Sequence, residues 1–345
     1  MTMHEENMKR LYAAAESFRK LAPWEWMEDG RIFGVKNPET GVVDYCCILG
    51  GLGEVFALVV YEGLEGLQGY RKMLSGDFAE NGAAAIDYQR ALMASFEDRR
   101  ELAPEDLAQI RSLNLKFRGK NGWPLFRHYL PGYLPWFVTA DQAQILTTCL
   151  EQALDVLPRY RENPDLLPDP ESGSHLVRVF GSHEGQGGQE SWFDEILPMP
   201  PQPAHDASPA AALPADEVGI ARIRRQQKKR RGVWEIGYCY APMPIQERRD
   251  ERPYLPRFMG IVEEGSGLML AFRLEKSGEH LRTFRDEILS CLERLDFLPE
   301  RLLVDHDETA ALAKPIAAGL GIALQRVPEL PVFIEVFDEM VATMG

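Results

Sequence analysis

Between Pro198 and Glu217 the chain reads PMPPQPAHDASPAAALPADE, and no other stretch constrains the fold as much. Proline fixes φ and removes a backbone donor, so a run this rich in it can be neither an inner strand nor a helix interior. The alanines and small polar residues between the prolines follow neither the helical nor the strand period, which predicts an exposed linker over 198–221. The linker separates a domain over 1–197 from a second over 222–345. Two cores fit the length: the chain has 345 residues and 45% apolar content, whereas single cores usually stop growing at about 250–300 residues.

The first half opens with an amphipathic helix in which Leu11, Ala14, Phe18 and Leu21 recur at helical spacing. Three apolar stretches follow, RIFGVKN, VVDYCCIL and VFALVVYEG, punctuated by PETG and GGLG, and predict a β-meander that feeds the helix LEGLQGYRKML. A polar helix over 104–111, an aromatic loop from Trp123 to Phe137 and a helix over 141–156 complete an α+β unit. The second half repeats the beginning of this order, with RPYLPRFMGIV, LMLAFRL and the helix HLRTFRDEILSCLERL. It then alternates: strand RLLVDHD, helix TAALAKPIAAGL, strand IALQRV, helix VFIEVFDEMVATM. The run Leu302, Leu303, Val304 is continuously apolar, as a parallel strand covered on both faces would be. Both halves are α/β in the broad sense, and the second is a mixed sheet.

Three antiparallel strands followed by alternating helices and parallel strands is the order of the ribonuclease H-like fold. Residues Val233 to Gly345 resemble the core of integrases and transposases in that order, in the Trp-led first strand and in the acid that ends the fourth. The resemblance implies two Mg²⁺ ions held for phosphoryl transfer by an aspartate on the first strand, a second on the fourth and a glutamate from a later helix. Asp305 matches the second acid. The first falls on Gly237 in Trp-Glu-Ile-Gly, leaving Glu235 as the nearest carboxylate, and the third would come from Glu335, Asp338 or Glu339. A catalytic version would use Glu235, Asp305 and Glu339, with Asp305 and Asp307 on the metal. Against it, the apolar stripe Phe333, Val336, Phe337, Met340 and Met344 predicts that the acids of the last helix face water. The whole chain also resembles uncharacterised bacterial proteins with two domains of unknown function, in patterns such as YCCILGGLGE and FRGKNGWPLFRHYLPGYLPW.

Other motifs point to structure more than to chemistry. Asp305-x-x-Glu308 has capping-box spacing before a helix, and His306 between them has no second ligand at metal spacing. GGLGE runs from strand to strand and predicts a hairpin turn, not a phosphate loop. His175 and His183 flank a glycine-rich stretch without a third ligand. The five cysteines form neither a disulfide framework nor a CxxC pair and read as core residues of a cytoplasmic protein. No window has the roughly 18 apolar residues of a membrane span, and the first residues lack the apolar core of a signal peptide.

The basic run remains. Seven of the ten residues from Arg222 to Arg231 are Lys or Arg, in a chain of formal net charge -15. Arg222, Arg224, Arg225, Lys228, Lys229, Arg230 and Arg231 are the candidate binding residues, displayed on a tethered segment. They dock on acids elsewhere in the chain, with Glu335, Asp338, Glu339 and the segment 97–106 as candidates, contact nucleic acid through phosphates, or serve only as a solvated gatekeeper beside an apolar strand. An acidic surface disfavours polyanions and favours the first. The expectation is a non-enzymatic binding or regulatory protein without a cofactor, whose partner is a protein or its own other domain. The alternative is a Mg²⁺-dependent nuclease or transposase-like enzyme.

Overall fold

The computed structural model describes residues 3–27, 30–75, 86–169, 172–182, 189–202, 213–214, 216–278 and 280–344. The chain divides into one unit of Met1–Pro131 and Pro135–Gln202 and a second of Gly132–Leu134 and Pro203–Gly345.

In the first unit, helix α1 (Met3–Leu21) precedes a meander of β1 (Ile32–Lys36), β2 (Val43–Leu49) and β3 (Ala57–Tyr61). Then come α2 (Gly63–Leu74), β4 (Ala91–Glu97), α3 (Pro104–Ser112), β5 (Trp123–Tyr129), α4 (Ala140–Glu162), β6 (Ser174–Ser182) and β7 (Glu190–Pro198). The sheet order is β5-β4-β3-β2-β1-β6-β7, antiparallel throughout except where β6 lies parallel to β1. Alternation along the strands separates two cores. Phe33, Cys46, Leu58 and Leu92 pack under α1 and α4, while Tyr45, Cys47, Val59 and Tyr61 pack under α2. Phe18, Phe33 and Phe96 are fully buried, each contributing about 1.5–3 kcal/mol relative to exposure. Helix α4 starts at a reciprocal cap. Thr139 Oγ1 accepts from the Gln142 amide (3.3 Å), and Gln142 Oε1 accepts from the Thr139 amide (2.9 Å). The expected aromatic loop is in part a strand: Trp123–Tyr129 pairs with β4, because Pro124, Phe126 and the residues between alternate in burial and Pro124 sits on an edge.

The second unit has α5 (Glu217–Arg225), β8 (Lys229–Arg230), β9 (Val233–Tyr240), β10 (Arg257–Glu263), β11 (Leu268–Glu275) and α6 (His280–Arg294). It continues with β12 (Phe297–Leu298), β13 (Arg301–Val304), α7 (Asp307–Leu320), β14 (Ala323–Arg326) and α8 (Pro331–Met344). The main sheet runs β11-β10-β9-β13-β14. Strands β9, β10 and β11 are antiparallel, and β13 and β14 are parallel to β9, as the order along the chain predicts. Trp234, Ile236 and Tyr238 face the core shared with α5, α6 and α7, and the opposite face of β9 and β10 lies under α8.

Of the stretch read as a linker, 203–212 and 215 lie outside the described residues. Its end is not extended: α5 begins at Glu217, with Asp216 Oδ1 accepting the Gly219 amide (2.9 Å) and with Ile220 and Ile223 buried. Of the cysteines, all free, only Cys239 is half-buried and the other four are buried. Among the described residues no helix is long and apolar enough to cross a membrane.

Candidate functional site

The carboxyl ends of β9 and β13 are where a mixed sheet of this order gathers its functional side chains. The β9–β13 register pairs Leu303 with Glu235 and Val304 with Ile236, so Asp305 continues opposite Gly237. That is the position at which a paired-acid centre would need its first carboxylate, and Gly237 supplies none. The ring of Phe333 occupies the space instead: a Cβ added to Gly237 would lie 2.2 Å from Phe333 Cγ. Phe333 is buried and packs against Phe258 and Phe337, so the ring is locked by its neighbours.

Glu235, one residue pair along the same face, is 1% exposed. Its Oε2 accepts the Phe333 amide at 2.6 Å. A strand carboxylate thus satisfies an otherwise orphan amide in the first turn of α8, where the helix dipole favours negative charge. Burial nevertheless pushes the Glu235 carboxyl above the usual range; the Phe333 and Val332 amides oppose this, and Glu264 and Asp305 add to it. Burial pushes the Cys239 thiol up to about 12, with Asp305 and Asp338 adding to the shift, so it is a thiol and not a thiolate nucleophile.

The acids after β13 are each engaged. Asp305 Oδ1 lies 2.7 Å from His306 Nδ1, and Asp307 pairs with Arg326. The expected capping box does not form: the N-cap of α7 is His306, which makes no side-chain cap. Glu308 turns inward to the opposite face of the sheet, toward Tyr238 and His280. There the Gly278 amide donates to His280 Nδ1 (3.2 Å), so Nε2 carries the proton and lies 3.0 Å from the Tyr238 hydroxyl. The Arg257 guanidinium stacks on the Tyr240 ring (3.7 Å) and donates to Ser277 Oγ (3.3 Å). Burial lowers Arg257 to about 10 while Glu308 raises it. Burial works to raise Glu308, but His280, Tyr238 and Arg257 outweigh it and hold the carboxyl below its usual range. Tyr238 stays a phenol, since burial and then Glu308 push it far up. The cluster is a set of mutually satisfied charges and donors without a nucleophile.

Glu335, Asp338 and Glu339 are exposed on α8, while Val336, Phe337 and Met340 pack toward the sheet. Among the described residues no group of three or more His, Cys, Asp or Glu side chains is placed to hold a metal ion. Glu235, Asp305 and Glu339 therefore do not form such a group, and Asp305 and Asp307 have separate partners, His306 and Arg326. His175 is buried beside the Tyr45 ring (5.4 Å), and His183 lies outside the described residues.

The basic run is built into the second unit and is not a tethered segment. Arg222 forms a double contact with Glu293 (2.5 and 2.8 Å). Lys228 Nζ donates to the carbonyls of Leu292 and Glu293 (2.8 and 2.5 Å) at the end of α6, and Arg224 and Arg230 donate to those of Gly319 and Leu320 at the end of α7. Arg231 lies over the Phe297 ring at 4.0 Å. Arg225 and Lys229 are exposed. Within the second unit the partners are two helix C-termini and Glu293, because the last carbonyls of a helix are orphaned and carry its negative pole.

Sequence reasoning missed Tyr238, Arg257 and His280, and it read Glu308 as a cap. Tyr238 and Arg257 sit in apolar strand patterns, and only the sheet pairing puts them beside a histidine that is 42 residues from Tyr238.

Residues 9–178 match a family described as a domain of unknown function (DUF7309), and residues 219–341 match a second domain of unknown function (DUF6930). No curated protein matches the chain.

Proposed function

We propose that this chain is a cytoplasmic, non-enzymatic binding or regulatory protein whose second unit is a ribonuclease H-like domain with its phosphoryl-transfer centre closed. The strand order β11-β10-β9-β13-β14 and the position of Asp305 opposite Gly237 support the assignment of that centre. The observation that carries the reading is the Phe333 ring on Gly237: it fills the space that a side chain carrying the first carboxylate would need. Two-metal catalysis requires acids converging on cations about 3.5–4 Å apart, and here Glu235 is committed to the Phe333 amide and Asp305 faces His306.

The test is incubation of the full chain with single- and double-stranded DNA and RNA in the presence of Mg²⁺ or Mn²⁺. The expected outcome is no cleavage or strand-transfer product, with Asp305→Asn indistinguishable from the parent. A product made by the parent and lost in Asp305→Asn overturns the reading.

A further inference from the structure

Strand β11 ends the second sheet, and its outer side is open among the described residues. An open edge is a template for another strand, and proteins usually blunt it. Here only one end is blunted: the ladder with β10 shifts between Ile261 and Val262, which bulges Leu270, and Arg294 donates to the Leu270 carbonyl (2.9 Å). From Ala271 to Glu275 the edge stays regular. On the α8 side of that stretch Phe272 is 47% and Leu274 43% exposed, and both line an open groove of about 650 Å³ together with Val336, Met340 and residues of the opposite face such as Arg273. Apolar exposure concentrated on a free edge marks an association surface.

Two observations say what covers it. The first unit has the same beginning, a meander β1-β2-β3 with β6 parallel to β1, and there the outer edge of the third strand is covered by an antiparallel strand, β4. The charges on β11 also complement themselves. Arg273 and Glu275 are two residues apart and so share a face, the one opposite Phe272 and Leu274. In an antiparallel pair of identical strands centred on Leu274, each Arg273 falls opposite Glu275 of the other copy. Arg273 donates its Nε to Glu287 at 2.6 Å, and a guanidinium has further N–H donors for a second carboxylate.

We propose that β11 pairs antiparallel with β11 of a second copy of this chain, about a two-fold axis through Leu274, giving a sheet continuous across the dimer. Such an interface is isologous and closes on itself. The inference deepens the non-enzymatic reading, for which it names a partner. Its outcome is read from mass and not from catalysis, so either reading can fail alone.

The experiment is sedimentation of the full chain at micromolar concentration, with Leu274→Lys and Leu274→Asp studied singly and mixed. The parent should be a dimer. Each variant alone places like charges on the axis and should weaken the dimer constant by about fivefold or more, since a lost cross-strand pair alone is worth up to about fivefold. An equimolar mixture, with Lys opposite Asp, should recover the dimer. Glu275→Arg, which leaves the apolar face intact, should also weaken it. A monomeric parent, variants that dimerise as tightly as the parent, or a mixture that stays monomeric overturns the proposal.

Discussion

Asp44 and Glu235 perform the same task in the two units, each reaching from a strand to the first turn of a helix. Asp44 Oδ1 accepts the Gly63 amide (3.0 Å) where α2 begins, as Glu235 accepts that of Phe333. Burial pushes the Asp44 carboxyl up to about 6; the Gly63 amide opposes this and Glu62 adds to it. In the unfolded chain it titrates near about 3.9. The folded state therefore holds the proton more tightly between those values, and its stability falls as the pH rises from about 4 through about 6, then levels off. The full span is roughly 3 kcal/mol. Asp44→Asn keeps a carbonyl acceptor but cannot ionise, so it should gain on the parent across this window by that order. Denaturant unfolding of both proteins at several pH values measures the difference, and parallel profiles would contradict it.

At the scale of elements, the run from Arg222 to Arg231 is explained by two helix ends that the sequence places far away, at separations of 64 to 95 residues. Lys228→Ala should destabilise the second unit by about 1–2 kcal/mol, the worth of charge-assisted bonds to carbonyls at a helix C-terminus. Lys229→Ala, which removes an exposed side chain, should stay within about 0.5 kcal/mol of the parent. Equal effects in chemical denaturation would show that the run does not cap α6. The contrast marks what was legible. The strands and helices of the second half could be read because buried strands are written as apolar runs and α8 as a stripe. Helix α5 could not, because its apolar side consists of little more than Ile220 and Ile223 amid charges. The acids of the candidate site were legible by type, but not their engagements. Nothing local records that Glu235 meets an amide 98 residues away, or that Glu308 turns from the helix end to Tyr238.

For the whole molecule, an overall charge of -15 with basic residues engaged at helix ends predicts weak binding of polyanions. On the proposed reading the acid-bearing end of β9 and β13, closed by Phe333, takes up no divalent cation. Calorimetric titration of the full chain with Mn²⁺ tests this most directly. The closed centre predicts no saturable heat, and traces for Asp305→Asn that superimpose on those of the parent. Stoichiometric, saturable binding by the parent that is abolished in Asp305→Asn would contradict it.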